Sequence, residues 1–367
     1  MLILTLIACA LGFSIRLKEH SQMQRDFVGK HHGIVVYYHE LENDPTEALP
    51  DATIDRIRKR TPPKRDWPGP AWLRNYLGDD AFATIAQAYV FQPVDKDATS
   101  VDFGNLANLK LLHITNWENL AKVDGLGKLK RLDILRIDCC KDVKDYSSFA
   151  ELKQLGRVNL KGCQWMTELP FSNSRQLEQL SISYAPRLAK YEGFGSLPSL
   201  RTVNLQRVGS LDFSSVGANN ISNMTIQLCP FPARLKGISK FQNLENLTIV
   251  GCPVDDVSEV GDLKKLSALS ITSSYLSDFS PIGKLTELKL LSVPRNPGIR
   301  NLDFIANLSE LETLSVAECS NLINWDAVFD LKQLKVLDVT LCRKIERQDV
   351  DELKRRLPNT EVKYLLR

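Results

Sequence analysis

Histidine is scarce in this 367-residue chain. There are five, and four of them (His20, His31, His32 and His39) lie before residue 40. Eight cysteines are present, but no two stand at C-x-x-C spacing, and adjacent Cys139 and Cys140 chelate poorly. A zinc site is therefore not expected. The chain has no G-x-S-x-G, no phosphate loop, no H-E-x-x-H and no paired Gly-rich turn after a strand. The common hydrolase, nucleotide-hydrolysing, metalloprotease and dinucleotide readings fall with them, leaving no catalytic residues, no cofactor and no enzyme. Neither sign of charge is in excess: 47 basic residues meet 44 acidic ones for a net +3. No basic stripe recurs along the chain, so nucleic acid is not an expected partner. The basic run RIRKR (56–60) lies in a Pro-rich loop and reads as a solvated face.

Long apolar runs are also absent, with one exception. LILTLIACALGFSI (2–15) is continuous apolar sequence followed by Arg16 and Lys18. It is short for a spanning helix, and no small-x-small cleavage site leads into a polar start. The expectation is an uncleaved membrane anchor or signal-like segment over 1–16, with the rest of the chain extracytoplasmic. Its orientation is left open, because the positive-inside rule puts the basic flank in the cytoplasm.

What is present in abundance is a repeat. LETLSVAEC (311–319) and LKVLDVTLC (334–342) share the skeleton L-x-x-L-x-V-x-x-C with different fillings. Its first place falls at Leu109, Leu132, Leu155, Leu177, Leu200, Ile221, Leu244, Leu266, Leu288, Leu311 and Leu334, at intervals of 21 to 23 residues. The slots three and five residues on are apolar every time, from Leu112 and Ile114 to Leu337 and Val339. L-x-x-L-x-L ends in period-2 alternation, the signature of a strand with one buried face. A unit this short cannot bury its apolar face alone, but stacked copies can. Three residues before each first place stands a further apolar anchor, except at Ser174 and Ala218.

The pattern resembles the leucine-rich repeat family, over about 105–345, and its short period and segments such as LSDFSPIGKLTELKLLSV resemble the 22-residue internalin class. The resemblance implies an α/β fold: a curved solenoid with a parallel concave sheet and short 3₁₀ or extended convex segments. Eleven repeats occupy 109–345. The register continues through Ile85, Ala88 and Val90 into an N-terminal cap repeat (85–108). At the other end Leu357, Thr360 and Val362, preceded by the helical VDELKRRL, form a C-terminal cap (346–367). Residues 17–84 read as a small α+β region: a helix, the strand GIVVYYHE (33–40), a Pro-rich linker and the helix AWLRNYLGDDAF (71–82). Gly33, Val35, Tyr37, Glu40, Pro70, Trp72, Leu73, Arg74, Leu77, Gly78, Asp79, Asp80 and Phe82, with RLPNTEVKY (356–364), resemble predicted bacterial membrane-tethered leucine-rich repeat proteins.

The ninth place holds Cys140, Cys163, Cys229, Cys252, Cys319 and Cys342, Asn296 once, and Trp117, Ala185, Val208 and Ser274 in the other four repeats. The family consensus there is Asn or Cys, where the chain leaves the strand. A buried ladder supporting the turns is the expectation, and disulfides between neighbouring repeats stay open beside it. The fifth and seventh places, four and six residues after the first, point away from the core. Their charges gather at the start, in His113, Arg136, Asp138 and Lys161 with Asn159 among them, while later repeats carry Ser and Thr. These five residues are the expected site for a protein ligand, with a glycan as the other possibility. The whole is expected to be a non-catalytic interaction scaffold, with a structural envelope spacer as the alternative.

Overall fold

The computed structural model describes the backbone of 34–37 and 85–90, and residues 98–365 except 105, 231–234 and 275. The expected membrane segment, the linker and the two expected helices before residue 84 lie outside the described residues. Among the described residues, no helix is long and apolar enough to cross a membrane. The chain divides into two compact units: Met1–Gln164 with Asn173–Leu177, and Trp165–Ser172 with Glu178–Arg367.

In the first unit, β1 (Ile34–Tyr37), β2 (Ile85–Val90), β4 (Leu111–Thr115), β6 (Ile134–Asp138) and β7 (Arg157–Lys161) lie in that order. A second, two-stranded sheet is made by β3 (Ser100–Asp102) and β5 (Lys122–Asp124). From β2 onward the main ladder is parallel and strictly periodic, with Leu112 facing Leu135 and Leu135 facing Val158. The strand within GIVVYYHE pairs antiparallel with β2, setting Val35 opposite Ala88. It occupies the N-terminal edge, which would otherwise present unpaired backbone groups.

The second unit runs in chain order through β8 (Gln179–Ala185), β9 (Thr202–Val208), β10 (Asn223–Gln227), β11 (Asn246–Val250), β12 (Ala268–Thr272), β13 (Leu290–Ser292), β14 (Thr313–Ser315), β15 (Val336–Asp338) and β16 (Glu361–Lys363). Its ladders are parallel throughout. The two units together hold thirteen parallel strands, one for each repeat and each cap. Helix α1 (Arg347–Arg356) precedes the last strand, buries Val350 and Leu353, and starts with a capping box between Glu346 and Asp349.

Burial follows the skeleton. In all eleven repeats the three strand slots are at most 3 % exposed. The return segments are short 3₁₀ turns, among them Ser147–Glu151, Ser280–Lys284 and Asp326–Asp330. The two places that lack an apolar anchor are solved differently. Ser174 is fully buried and donates its hydroxyl to Leu152 O at 2.6 Å, so its polar group is satisfied. In the shortest repeat Ala218 is exposed. Val216 is buried there instead, and Asn219 Oδ1 accepts from Ile221 N.

In each of the eleven repeats the chain leaves the strand through a residue with positive φ, from Asn116 (53°) to Leu341 (57°). This left-handed turn carries the ladder one step further. The N–H of Leu228 donates to Val250 O, that of Arg295 to Ala317 O and that of Glu318 to Thr340 O. Only Asn116, Gly162 and Gly251 belong to residue types that take this conformation cheaply. Elsewhere it costs about 1 kcal/mol.

Candidate ligand-binding face

The strand register brings the five expected site residues together. His113, Arg136 and Asn159 are direct neighbours on β4, β6 and β7, and Asp138 and Lys161 form the next column. Period-2 alternation sends all five to the face opposite the buried slots. His113 Nε2 lies 2.9 Å from Asp138 Oδ2, joining the two columns diagonally, and its ring meets the edge of Tyr89 at 5.8 Å. The pair holds both side chains at 14 % and 29 % exposure, so it is presented on the face and preordered. Arg136 and Lys161 have no carboxylate within ion-pair reach among the described residues. The first unit thus shows two unneutralised cations beside a fixed His–Asp pair, an arrangement suited to carboxylates of a partner.

The same columns of the second unit are nearly uncharged. Ser181, Ser183, Asn204, Gln206, Thr225 and Gln227 line a shallow depression of about 160 Å³, and Gln206 Nε2 donates to Gln227 Oε1 at 3.4 Å. Further along, Ser270, Ser292 and Ser315 follow one another in register, and Ser315 Oγ bonds Asp338 Oδ2 at 3.1 Å.

The ninth-place residues lie behind the strand ends, and all eleven are 4 % exposed or less. Asn296 is the most fully bonded. Its Nδ2 donates to Ile271 O (2.8 Å) and Val293 O (2.9 Å), and its Oδ1 accepts from Ser274 N (2.9 Å) and Ser274 Oγ. Cys319 and Cys342 each make one such bond where Asn296 makes several. Cys319 Sγ donates to Val293 O at 3.2 Å and Cys342 Sγ to Val316 O at 3.1 Å, each reaching into the preceding repeat. All the described cysteines are free thiols. Burial pushes Cys140 and Cys319 up to about 12 and Cys163 and Cys342 up to about 11, which keeps them protonated donors. Cys252 differs: the thiol of Cys229 and the N–H of Cys229, 3.3 Å from its Sγ, hold it below the ordinary thiol value. Among the described residues, no group of three or more His, Cys, Asp or Glu is placed to hold a metal.

Two features escaped the sequence. The 3₁₀ segments are opened by an acid whose Oδ1 accepts the N–H two residues on, as in Asp145 to Ser147, Asp256 to Ser258 and Asp278 to Ser280. The recurring D-x-S is the signal that would have found them. The second is a depression of about 910 Å³ on the return side of the second unit, where Phe279 and Phe304 meet at 5.4 Å beside Lys284, Arg300 and Asp303.

A parallel strand, a left-handed exit, a buried Asn or Cys and a short 3₁₀ return, repeated every 22 residues or so, decide the fold. It is a leucine-rich repeat solenoid. An internalin, InlF of Listeria monocytogenes, superposes with a TM-score of 0.54 at 18 % identity, covering 79 % of this chain and 92 % of that one. A leucine-rich repeat protein of Leptospira interrogans is 17 % identical over 73 % of this chain and 90 % of its own, with a TM-score of 0.44. In sequence, the disease resistance protein RPS4B of Arabidopsis thaliana is 29 % identical over 119 residues, 32 % of this chain. The chain spans about 10 % of that relative's length. No family model matches.

Proposed function

We propose that the chain is a non-catalytic binding scaffold that takes a protein ligand on the exposed sheet face of its first unit. His113, Arg136, Asp138, Asn159 and Lys161 would make the contact. The observation that carries this reading is the register of β4, β6 and β7. It sets Arg136 and Lys161, both without a carboxylate partner among the described residues, around the ordered His113–Asp138 pair. Placed charges orient and select a partner, whereas the hydroxyls of the later repeats desolvate cheaply and discriminate little. The apolar run 2–15 supports a membrane tether holding the repeats outside the cytoplasm. The buried cysteines and Asn296 serve the turns and stand apart from the ligand.

Crosslinking of the full-length protein in its native cell, followed by mass spectrometry, identifies the partner and the residues it touches. Crosslinks concentrated on Lys161 and its neighbours support the reading. A cell in which only envelope neighbours are captured, evenly along the chain, favours a spacer. Fractionation then tests the tether: recovery of the native full-length protein in the soluble fraction counts against it.

A further inference from the structure

The strand-exit turn makes a demand that several residues of the second unit do not meet. Tyr184, Arg207 and Leu228 occupy it in three successive repeats, with φ of 57°, 51° and 52°. A large side chain gains nothing from this conformation and destabilises it relative to glycine or asparagine. Nor do these side chains fold back into the core: Tyr184 is 41 % exposed and Leu228 42 %. Three places further along the turn, Trp165 and Arg187 repeat the theme, with Trp165 36 % exposed. The two arginines lie on the two rings. Arg187 Cζ is 4.1 Å from the centre of Trp165 and Arg207 Cζ 4.9 Å from the centre of Tyr184.

The rest of the same rim shows what a merely solvated arrangement looks like. In the repeats after it, Arg295 and Glu318 hold the same place and neutralise each other at 2.9 Å. Among the described residues, Arg187 and Arg207 have no carboxylate in reach. Glu168 is engaged by Lys190 and Asp212 by Lys236. A guanidinium stacked on a ring keeps its N–H fork directed outward, and that fork matches a carboxylate in two parallel bonds. Trp, Tyr and Arg are also the residues that most often dominate binding energy at protein interfaces.

We propose that this rim is a second docking surface, and that it takes an acidic protein segment in which carboxylates alternate with apolar side chains. Charge fixes the sign of the occupant, since two cations stand unopposed. The exposed faces of Tyr184 and Leu228 between and beside them fix its class, because a sulfated polysaccharide has no apolar side chains to cover them. The surface is independent of the first unit's charged columns and shares no residue with them.

The test is to pan a displayed library of random twelve-residue peptides against the full-length chain and to measure the enriched peptides by fluorescence anisotropy. Peptides with Asp or Glu beside Leu, Ile or Phe are expected. Their affinity should fall at least tenfold in Arg187→Glu/Arg207→Glu, fall less in Arg187→Lys/Arg207→Lys, and stay within twofold in Arg136→Glu/Lys161→Glu. The two lysine replacements keep charge and fold while removing the fork, so their intermediate loss separates recognition from unfolding. Enrichment of peptides indifferent to the Arg187→Glu/Arg207→Glu pair, or no enrichment, would overturn the proposal. So would a heparin-derived oligosaccharide that binds through the same two arginines more tightly than any enriched peptide.

Discussion

The ninth place of each repeat and the fifth and seventh places lie a few residues apart, yet they are filled under opposite rules. The ninth place is buried in every repeat, and in seven of the eleven it is a thiol or an amide, as in Asn296 and Cys319, which hydrogen-bond to backbone. The fifth and seventh places face outward and change from His, Arg, Asp and Lys in the first unit to mainly Ser, Thr, Asn and Gln in the second, with Asp338 in the last repeat. The lesson is that the repeat separates its tasks by position. Buried places carry stability because a lost bond or a lost methyl group cannot be replaced by water. Exposed places are nearly free to vary in stability and are therefore where selectivity can reside.

The sharpest way to break that contrast is in the strand core. Leu269 sits at the centre of β12 with no exposure and with strands on both sides. Leu269→Ala is expected to cost about 2–5 kcal/mol by the cavity it leaves, read as a drop in the urea midpoint. Asn296→Ala comes next. It deprives Ser274 N and Ile271 O of a partner and leaves Val293 O with the Cys319 thiol alone from this column, and should cost about 2–3 kcal/mol. Cys319→Ala removes one weak bond to Val293 O and a small packed group, for about 1 kcal/mol. Equal losses at Asn296 and Cys319 would show that the ladder works by packing alone.

How much of this was legible in the sequence follows the same division. The three buried slots were readable because period 2 leaves no other place for Leu112 and Ile114 to go. The ladder cysteines were readable as a column, although only coordinates show Cys319 reaching back to Val293 O while Asn296 bonds two repeats at once. The strand at 34–37 was visible in its β-branched residues, but its antiparallel partner was not, since pairing across 50 residues leaves no local mark. The five residues of the charged columns were readable from spacing. The His113–Asp138 bond between columns was not, because it depends on side-chain rotamers. The rim at Tyr184, Arg207 and Leu228 was illegible because those residue types do not announce a left-handed turn.

Acid gives a smaller effect that tests the return segments. Hydrogen bonds from Ser147, Ser214 and Ser280 hold the carboxyls of Asp145, Asp212 and Asp278 below their ordinary value. A depressed carboxyl stabilises the fold above its unfolded pKa of about 4 and loses that contribution as pH falls through the lower folded value. Stability should therefore decline below about pH 4, and by less in an Asp145→Asn/Asp212→Asn/Asp278→Asn variant, as followed by urea unfolding at a series of pH values. An unchanged acid slope in the triple variant would mean that these turns do not report through their carboxylates.

The smallest stability effect and the largest binding effect should coincide at the charged columns. Arg136→Glu/Lys161→Glu is expected to move stability by less than about 0.5 kcal/mol. The most direct measurement is the affinity of the crosslinked partner for this variant, set beside Ser292→Glu/Ser315→Glu as the control in the second unit. The expected result is a loss of at least tenfold for the first pair and little change for the control. Equal losses from the two pairs, or a loss from the control alone, would contradict the assignment of selectivity to the first unit's exposed face.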